Sequence, residues 1–164
     1  FKADVNHVTA KALVAPATLI GLEDLTHIRD RTRQRSKKRR RQATKWAFAE
    51  LKGFVAYKAE LVGSRAITVD ADYTSQQCPR CGHHAKANRP GKGLVFRCQR
   101  CGYELHADLV GARQVCLRTL ALRQDWRATG HLSSAPDRSS DEAKATRLRR
   151  YAELRWRADL SPQH

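Results

Sequence analysis

The 164 residues contain no methionine, few aromatic residues, half as many acidic as basic side chains, and no long apolar run. Without about 18 consecutive apolar residues there is no segment that could cross a bilayer as a helix. Residues 1–9 also lack the basic-then-apolar order of a signal peptide. A soluble, intracellular protein without a membrane partner is therefore expected. Because the chain opens on Phe1 and holds no Met, a portion upstream of Phe1 is expected as well. Five cysteines, an odd number, argue against the disulfide framework of a small secreted domain. The apolar share is modest and rich in alanine, which allows one compact region with polar additions.

The surplus of 32 Lys and Arg over 16 Asp and Glu gives a formal charge of +16. Such a surplus repels itself unless a polyanion or counterions neutralise it, so nucleic acid is the expected partner class. A basic surface kept for solubility has the same composition, and charge alone does not separate the two.

Along the chain, residues 4–15 read as a short helix with Val5, Val8, Ala12 and Ala15 on its apolar face, closed by Pro16. Residues 18–22 read as a buried strand that delivers Glu23 and Asp24 at its carboxyl end. Residues 29–41 hold nine basic residues and one acid, a density no core can bury, and are placed in a loop running into a helix. Residues 45–62 carry Ala47, Leu51, Phe54, Val55, Leu61 and Val62 at helical spacing, with Trp46 and Tyr57 on the flanks and Gly63 as terminator. A β-branched strand at 66–69 and an extended approach at 70–77 follow. A further helix from His106 to about Leu122 is expected to turn Leu109, Ala112, Cys116 and Leu120 inward, with Cys116 in the core. From Gln124 the chain becomes polar and arginine-rich and reads as a mobile, at most transiently helical tail.

Cys78-Pro-Arg-Cys81-Gly and Cys98-Gln-Arg-Cys101-Gly repeat one pattern with 16 residues between the pairs. Each pair places two thiolates on a tight turn, and a hairpin between them would bring four sulfurs into a tetrahedron around zinc. Gly82 and Gly102 allow the left-handed backbone that aims amide groups at the sulfurs. A closed four-cysteine site has no open position for water, so this zinc is expected to be structural. His83 and His84 read as exposed turn residues.

Asp108 follows Cys101 by seven residues and stands in the first turn of the next helix, where the helix dipole favours a carboxylate. Taken alone, Asp108 is a helix-start residue and Glu23 a surface acid. Their surroundings are more informative. Thr18-Leu-Ile-Gly-Leu-Glu23-Asp24-Leu25 precedes a helix containing Tyr57-Lys58-Ala59-Glu60, then Tyr73-Thr-Ser-Gln-Gln-Cys78-Pro-Arg-Cys81-Gly, then Phe96-Arg-Cys98-Gln-Arg-Cys101-Gly-Tyr-Glu-Leu-His106-Ala-Asp108-Leu-Val-Gly-Ala-Arg113. This order closely resembles the carboxyl-terminal half of the TnpB (OrfB-type) family, over roughly residues 4–117. These are transposon-encoded, RNA-guided DNA endonucleases related to the compact type V CRISPR effectors.

The resemblance implies an α/β fold: a partial RNase H-like (RuvC-like) domain at 1–75 and 103–123, a zinc ribbon at 76–102 and a flexible basic tail at 124–164. It makes Glu23 similar to the middle catalytic acid and Asp108 to the last, with Mg²⁺ or Mn²⁺ between them. The four cysteines are similar to the zinc ligands. The first catalytic Asp has no counterpart here, since Asp4 lies in a helix, and would precede Phe1; this chain alone is then expected to be inactive. Gln114 stands where the family commonly has Asn. Guide RNA and DNA become the implied partners, in a prokaryotic cytoplasm. Arg31, Arg33, Arg35, Lys37, Lys38, Arg39, Arg40, Arg41, Arg80, Arg97 and Arg100 are the candidate phosphate contacts. The alternative is a catalytically inactive zinc-ribbon protein that binds DNA or RNA, as a decayed transposase or a guided binder would. An unrelated zinc ribbon of transcription or the ribosome would share the knuckles but give the acids no role.

Overall fold

The computed structural model describes residues 2–25, 48–90, 94–130 and 141–157, which form two compact units divided between Thr68 and Val69. The chain is mixed α/β.

In the first unit, α1 (Lys2–Leu13) is rich in alanine, with Asp4 in its first turn and Lys11 in its last, both favourable to the helix dipole. It packs on α2 (Phe48–Leu61). The packed face is not the expected one: Val5 and Val8 are 47% and 62% exposed, whereas Asn6 and Ala10 are buried. Asn6 Nδ2 donates to Glu50 Oε2 at 2.7 Å, and the His7 ring meets Phe54 edge-on at 5.1 Å. Polar pairing, which an apolar pattern cannot reveal, turned the helix. Among the described residues of the expected α2 stripe only Val55 is fully buried, together with Ala59, while Leu61 is 78% exposed.

α2 ends as expected at Gly63, with φ 67°. The Ser64 amide donates to the Ala59 carbonyl and the Gly63 amide to the Glu60 carbonyl, the paired bonds of a Schellman cap. β1 (Leu19–Glu23) and β2 (Arg65–Val69) form a two-stranded sheet. The Arg65 amide donates to the Thr18 carbonyl at 3.0 Å, and Ser64 Oγ accepts from the Thr18 amide at 2.9 Å, so both strands start at the same end.

The second unit begins at Val69. Residues 72–76 form a turn, not the expected extended approach. Asp70 Oδ1 accepts from the Asp72 amide, and the Gln76 and Gln77 amides both donate to the Tyr73 carbonyl. Tyr73 takes φ 59°. A 3₁₀ turn at Lys86–Asn88 follows, then β3 (Val95–Arg97), β4 (Glu104–His106) and α3 (Ala107–Thr129). β3 and β4 are antiparallel, with Phe96 opposite Leu105. The hairpin thus encloses the second cysteine pair and does not fill the interval between the pairs.

α3 runs past the expected end to a left-handed cap at Gly130. Its buried residues are Ala107, Val110, Gln114, Leu117, Arg118, Thr119 and Ala121. This corrects the expected stripe: Leu109 is 53% exposed and Cys116 lies on the surface. Two long polar residues occupy the inner face, so hydrophobic periodicity selected the neighbouring one. Of the region read as a tail, residues 124–130 and 141–157 are described, and both stretches carry helix. The α3 helix continues through 124–129, and α4 (Asp141–Glu153) packs within the same unit.

Candidate metal centre and acidic residues

The two cysteine turns are built alike. The Cys78 amide donates to the His83 carbonyl and the Gly82 amide to the Cys78 carbonyl; the Cys98 amide donates to Tyr103 and the Gly102 amide to Cys98 in the same way. Gly82 and Gly102 both take positive φ, 74° and 69°, as their place after each pair predicts. Around these turns Cys78, Phe96, Cys98, Ala107 and Val110 form one buried cluster, flanked by Cys81, Cys101, Tyr103 and Leu105. Cys78 and Cys98 are themselves core residues of a small unit.

The four Sγ atoms lie within 4.8 Å of one another. Cys78 and Cys101 are separated by 3.7 Å, Cys81 and Cys98 by 3.6 Å. A tetrahedron of zinc–thiolate bonds has sulfur–sulfur edges of about 3.8 Å, whereas a disulfide needs about 2.05 Å. Four convergent sulfurs at these separations can hold a metal ion such as zinc. Burial pushes the Cys78 and Cys81 thiols up. Burial acts in the same sense on Cys101, but a backbone hydrogen bond at Tyr103 and bonds to the other three sulfurs outweigh it and bring that thiol down to about 7. Metal binding therefore has to displace protons held by the raised thiols of Cys78 and Cys81.

Asn88 joins the two turns and was not picked out by any sequence motif. Fully buried, it donates from Nδ2 to the Gln76 and His83 carbonyls and accepts at Oδ1 from the Gln99 amide. Arg118 is the second such residue. Its guanidinium, 1% exposed, donates to the Asp70 carbonyl at 2.5 Å and the Asp72 carbonyl at 2.9 Å, and lies 4.0 Å from the Tyr151 ring centre. Gln114 Nε2 donates to the Gln77 carbonyl at 3.2 Å. An Asn or Arg that closes such a network carries no local signature, because every partner is distant in sequence or is a backbone atom.

Glu23 is the last residue of β1 and half-buried, in the first unit. Asp108 stands in the first turn of α3, in the second unit, with its side chain 77% exposed. His106 caps α3: its Nδ1 accepts from the Asp108 amide at 3.3 Å and lies 3.8 Å from Asp108 Oδ2. No linker separates ribbon from helix. β4 ends at His106, α3 begins at Ala107, and the Ala107 amide donates to the Leu94 carbonyl.

Of the candidate phosphate contacts, Arg80, Arg97 and Arg100 are exposed on the ribbon, and Arg97 pairs with Glu104 at 2.7 Å. Arg31, Arg33, Arg35, Lys37, Lys38, Arg39, Arg40 and Arg41 lie outside the described residues, as does Trp46. His84 is exposed, with its ring 4.3 Å from that of Tyr73 and tilted by 55°; His83 is half-buried. No helix among the described residues is long and apolar enough to cross a membrane.

A family model described as Cas12f1-like, TNB domain matches residues 48–115. Over 122 residues, 71% of this chain, the sequence is 35% identical to the CRISPR-associated endodeoxyribonuclease Cas12f1 of Sulfoacidibacillus thermotolerans, of which it covers 27%. A TnpB-like protein of Methanocaldococcus jannaschii is 34% identical over 111 residues, 65% of this chain and 39% of that protein. The chain thus spans well under half the length of these curated relatives. A Cas12f1 solved in complex with sgRNA and target DNA shares the fold with a TM-score of 0.52 at 20% identity, over 70% of this chain and 33% of that one.

Proposed function

This chain is related to the TnpB-like and Cas12f1 proteins and carries a Cas12f1-like TNB domain, and from that premise we propose that it is the carboxyl-terminal part of an RNA-guided DNA endonuclease. In this reading residues 1–75 and 103–123 contribute to a RuvC-like nuclease domain. Residues 76–102 are its zinc ribbon, with Cys78, Cys81, Cys98 and Cys101 binding a structural zinc.

Glu23 and Asp108 would hold Mg²⁺ or Mn²⁺ together with an Asp upstream of Phe1. Carboxylates are the hard oxygen donors that these ions prefer. When bound, such ions activate water and stabilise charge on the attacked phosphate. The chain's own residues do the positioning. β1 ends on Glu23, and the ribbon sets the start of α3 so that Asp108 leaves the first turn outward and open to solvent. His106 fixes the backbone of that turn by accepting the Asp108 amide. With the third acid supplied from elsewhere, the isolated chain would not cleave DNA.

Arg80, Arg97 and Arg100 and the basic run at 29–41 would meet phosphates of guide RNA, heteroduplex or displaced strand. Sequence choice would rest on guide pairing. A cytoplasmic prokaryotic protein linked to transposition is the setting in which this activity belongs.

What supports the reading is the family-model match over residues 48–115, a span that includes all four cysteines and Asp108, with β4 running directly into α3. The test is cleavage of guide-matched DNA in Mg²⁺ by the full-length protein containing this chain, against its Glu23→Ala and Asp108→Asn variants. Each variant should lose more than the roughly hundredfold that even an outer-shell partner of a metal is worth. Zinc content and nucleic-acid binding should stay unchanged. Cleavage indifferent to both acids would favour the inactive zinc-ribbon binder.

A further inference from the structure

Residues 141–157 lie beyond the segment matched by the family model, yet they touch the first cysteine turn at several points. The Trp156 amide donates to the Pro79 carbonyl at 2.8 Å. The Ala152 carbonyl and the Arg155 guanidinium lie so near Gly82 that a Cβ there would collide with both. At the equivalent Gly102 the same Cβ would meet nothing within 4 Å among the described residues. Behind the turn, Arg147 Nε lies 3.1 Å from Asp70 Oδ2, with the Asp70 side chain only 1% exposed. Tyr151 covers Arg118, which in turn holds the carbonyls of Asp70 and Asp72. Arg150 pairs with Asp125 on α3 at 2.5 Å.

The Trp156 bond and the close approach to Gly82 engage the backbone of the very turn that carries Cys78 and Cys81, and the other contacts seat the helix behind it. We infer that residues 141–157 form a clasp on the first cysteine turn, so that metal binding and docking of this helix reinforce one another while the second turn stays open. The physical basis is linkage. Pro79 and Gly82 lie between and beside Cys78 and Cys81, so a metal that orders the turn presents a ready seat to α4. By reciprocity, a docked α4 must raise the affinity of the turn for metal by the same factor. Three arginines of the clasp segment, Arg147, Arg150 and Arg155, are engaged with carboxylates or backbone carbonyls of this chain. Part of the basic carboxyl-terminal region is therefore engaged within this chain. The inference stands on the four-cysteine site alone and does not require the nuclease reading.

The test uses the zinc-loaded full-length protein. Zinc release to excess chromogenic chelator is timed, and hydrogen exchange is followed across residues 144–156, for wild type, Gly82→Ala, Gly102→Ala and Arg147→Glu. Both glycines have positive φ, so the backbone strain of alanine is common to the two and their difference isolates the clasp. Zinc should leave Gly82→Ala and Arg147→Glu about tenfold faster than Gly102→Ala, within the usual range of coupling between sites. Exchange across 144–156 should rise in those two variants only, and in wild type on removing zinc. Equal zinc release from Gly82→Ala and Gly102→Ala, or exchange across 144–156 indifferent to zinc, overturns the inference. Should Gly82→Ala fail to fold, Arg147→Glu gives the same decision, because Arg147 lies outside both turns.

Discussion

The two cysteine turns share a sequence pattern, a hydrogen-bond pattern and a glycine of positive φ, but they are supported in different ways. The second is carried by its own hairpin: β3 and β4 flank it, and an exposed Arg97–Glu104 pair ties the strands. The first has no hairpin of its own, only a single bridge between Gln77 and His84, and is supported from outside by α3, by the 70–77 turn and by α4. One turn is local structure and the other is tertiary structure. Identical motifs therefore need not have identical stability or dynamics.

The largest effect should ignore this difference. Cys78→Ser and Cys101→Ser should each abolish tight zinc binding and unfold the second unit, since structural zinc is worth about 10–16 kcal/mol, comparable with a whole domain. Circular dichroism with a zinc assay checks this. Retention of metal and fold by only one variant would mean that the turns differ at the metal itself.

Acidity should act through the same site. Thiols raised by burial must lose protons to bind zinc, so affinity should fall as pH falls. With Cys101 near 7, binding should release more protons per zinc below about pH 7 than above it. Calorimetry in buffers of different ionisation enthalpy reads this directly, and a proton count that does not change through pH 7 would contradict it.

The supports should then separate the turns. Arg118→Ala should cost about 3–5 kcal/mol in urea unfolding, the usual cost of breaking a buried charged network. Asn88→Ala, which removes three hydrogen bonds shared by both turns, should cost about 2–3 kcal/mol. Arg97→Ala, at an exposed pair of the second turn, should cost less than about 0.5 kcal/mol. An Arg97 effect as large as that of Arg118 would erase the distinction between local and tertiary support.

Much of this site was legible from the amino acids. The clustering of the four cysteines, the glycines after each pair, the Gly63 helix stop and the start of a helix just before Asp108 all follow from neighbours within a few residues. The inner face of α3 was not legible, because Gln114 and Arg118 sit where apolar residues would be expected. Nor was the face of α1, where Asn6 and His7 are drawn to Glu50, Phe54 and Tyr57. The arginine-rich carboxyl-terminal region read as a tail because its compensating acids, Asp70, Asp72 and Asp125, lie far away in sequence.

By itself, then, the sequence determined the chemistry set by ligand type, ligand spacing and backbone handedness, each of which acts over a handful of residues. Only the tertiary structure decided which polar groups go inside. Arg118 meets Asp70 across 48 positions and Arg147 meets it across 77. A buried guanidinium is tolerable only once such partners have been brought to it, and no local pattern encodes their arrival.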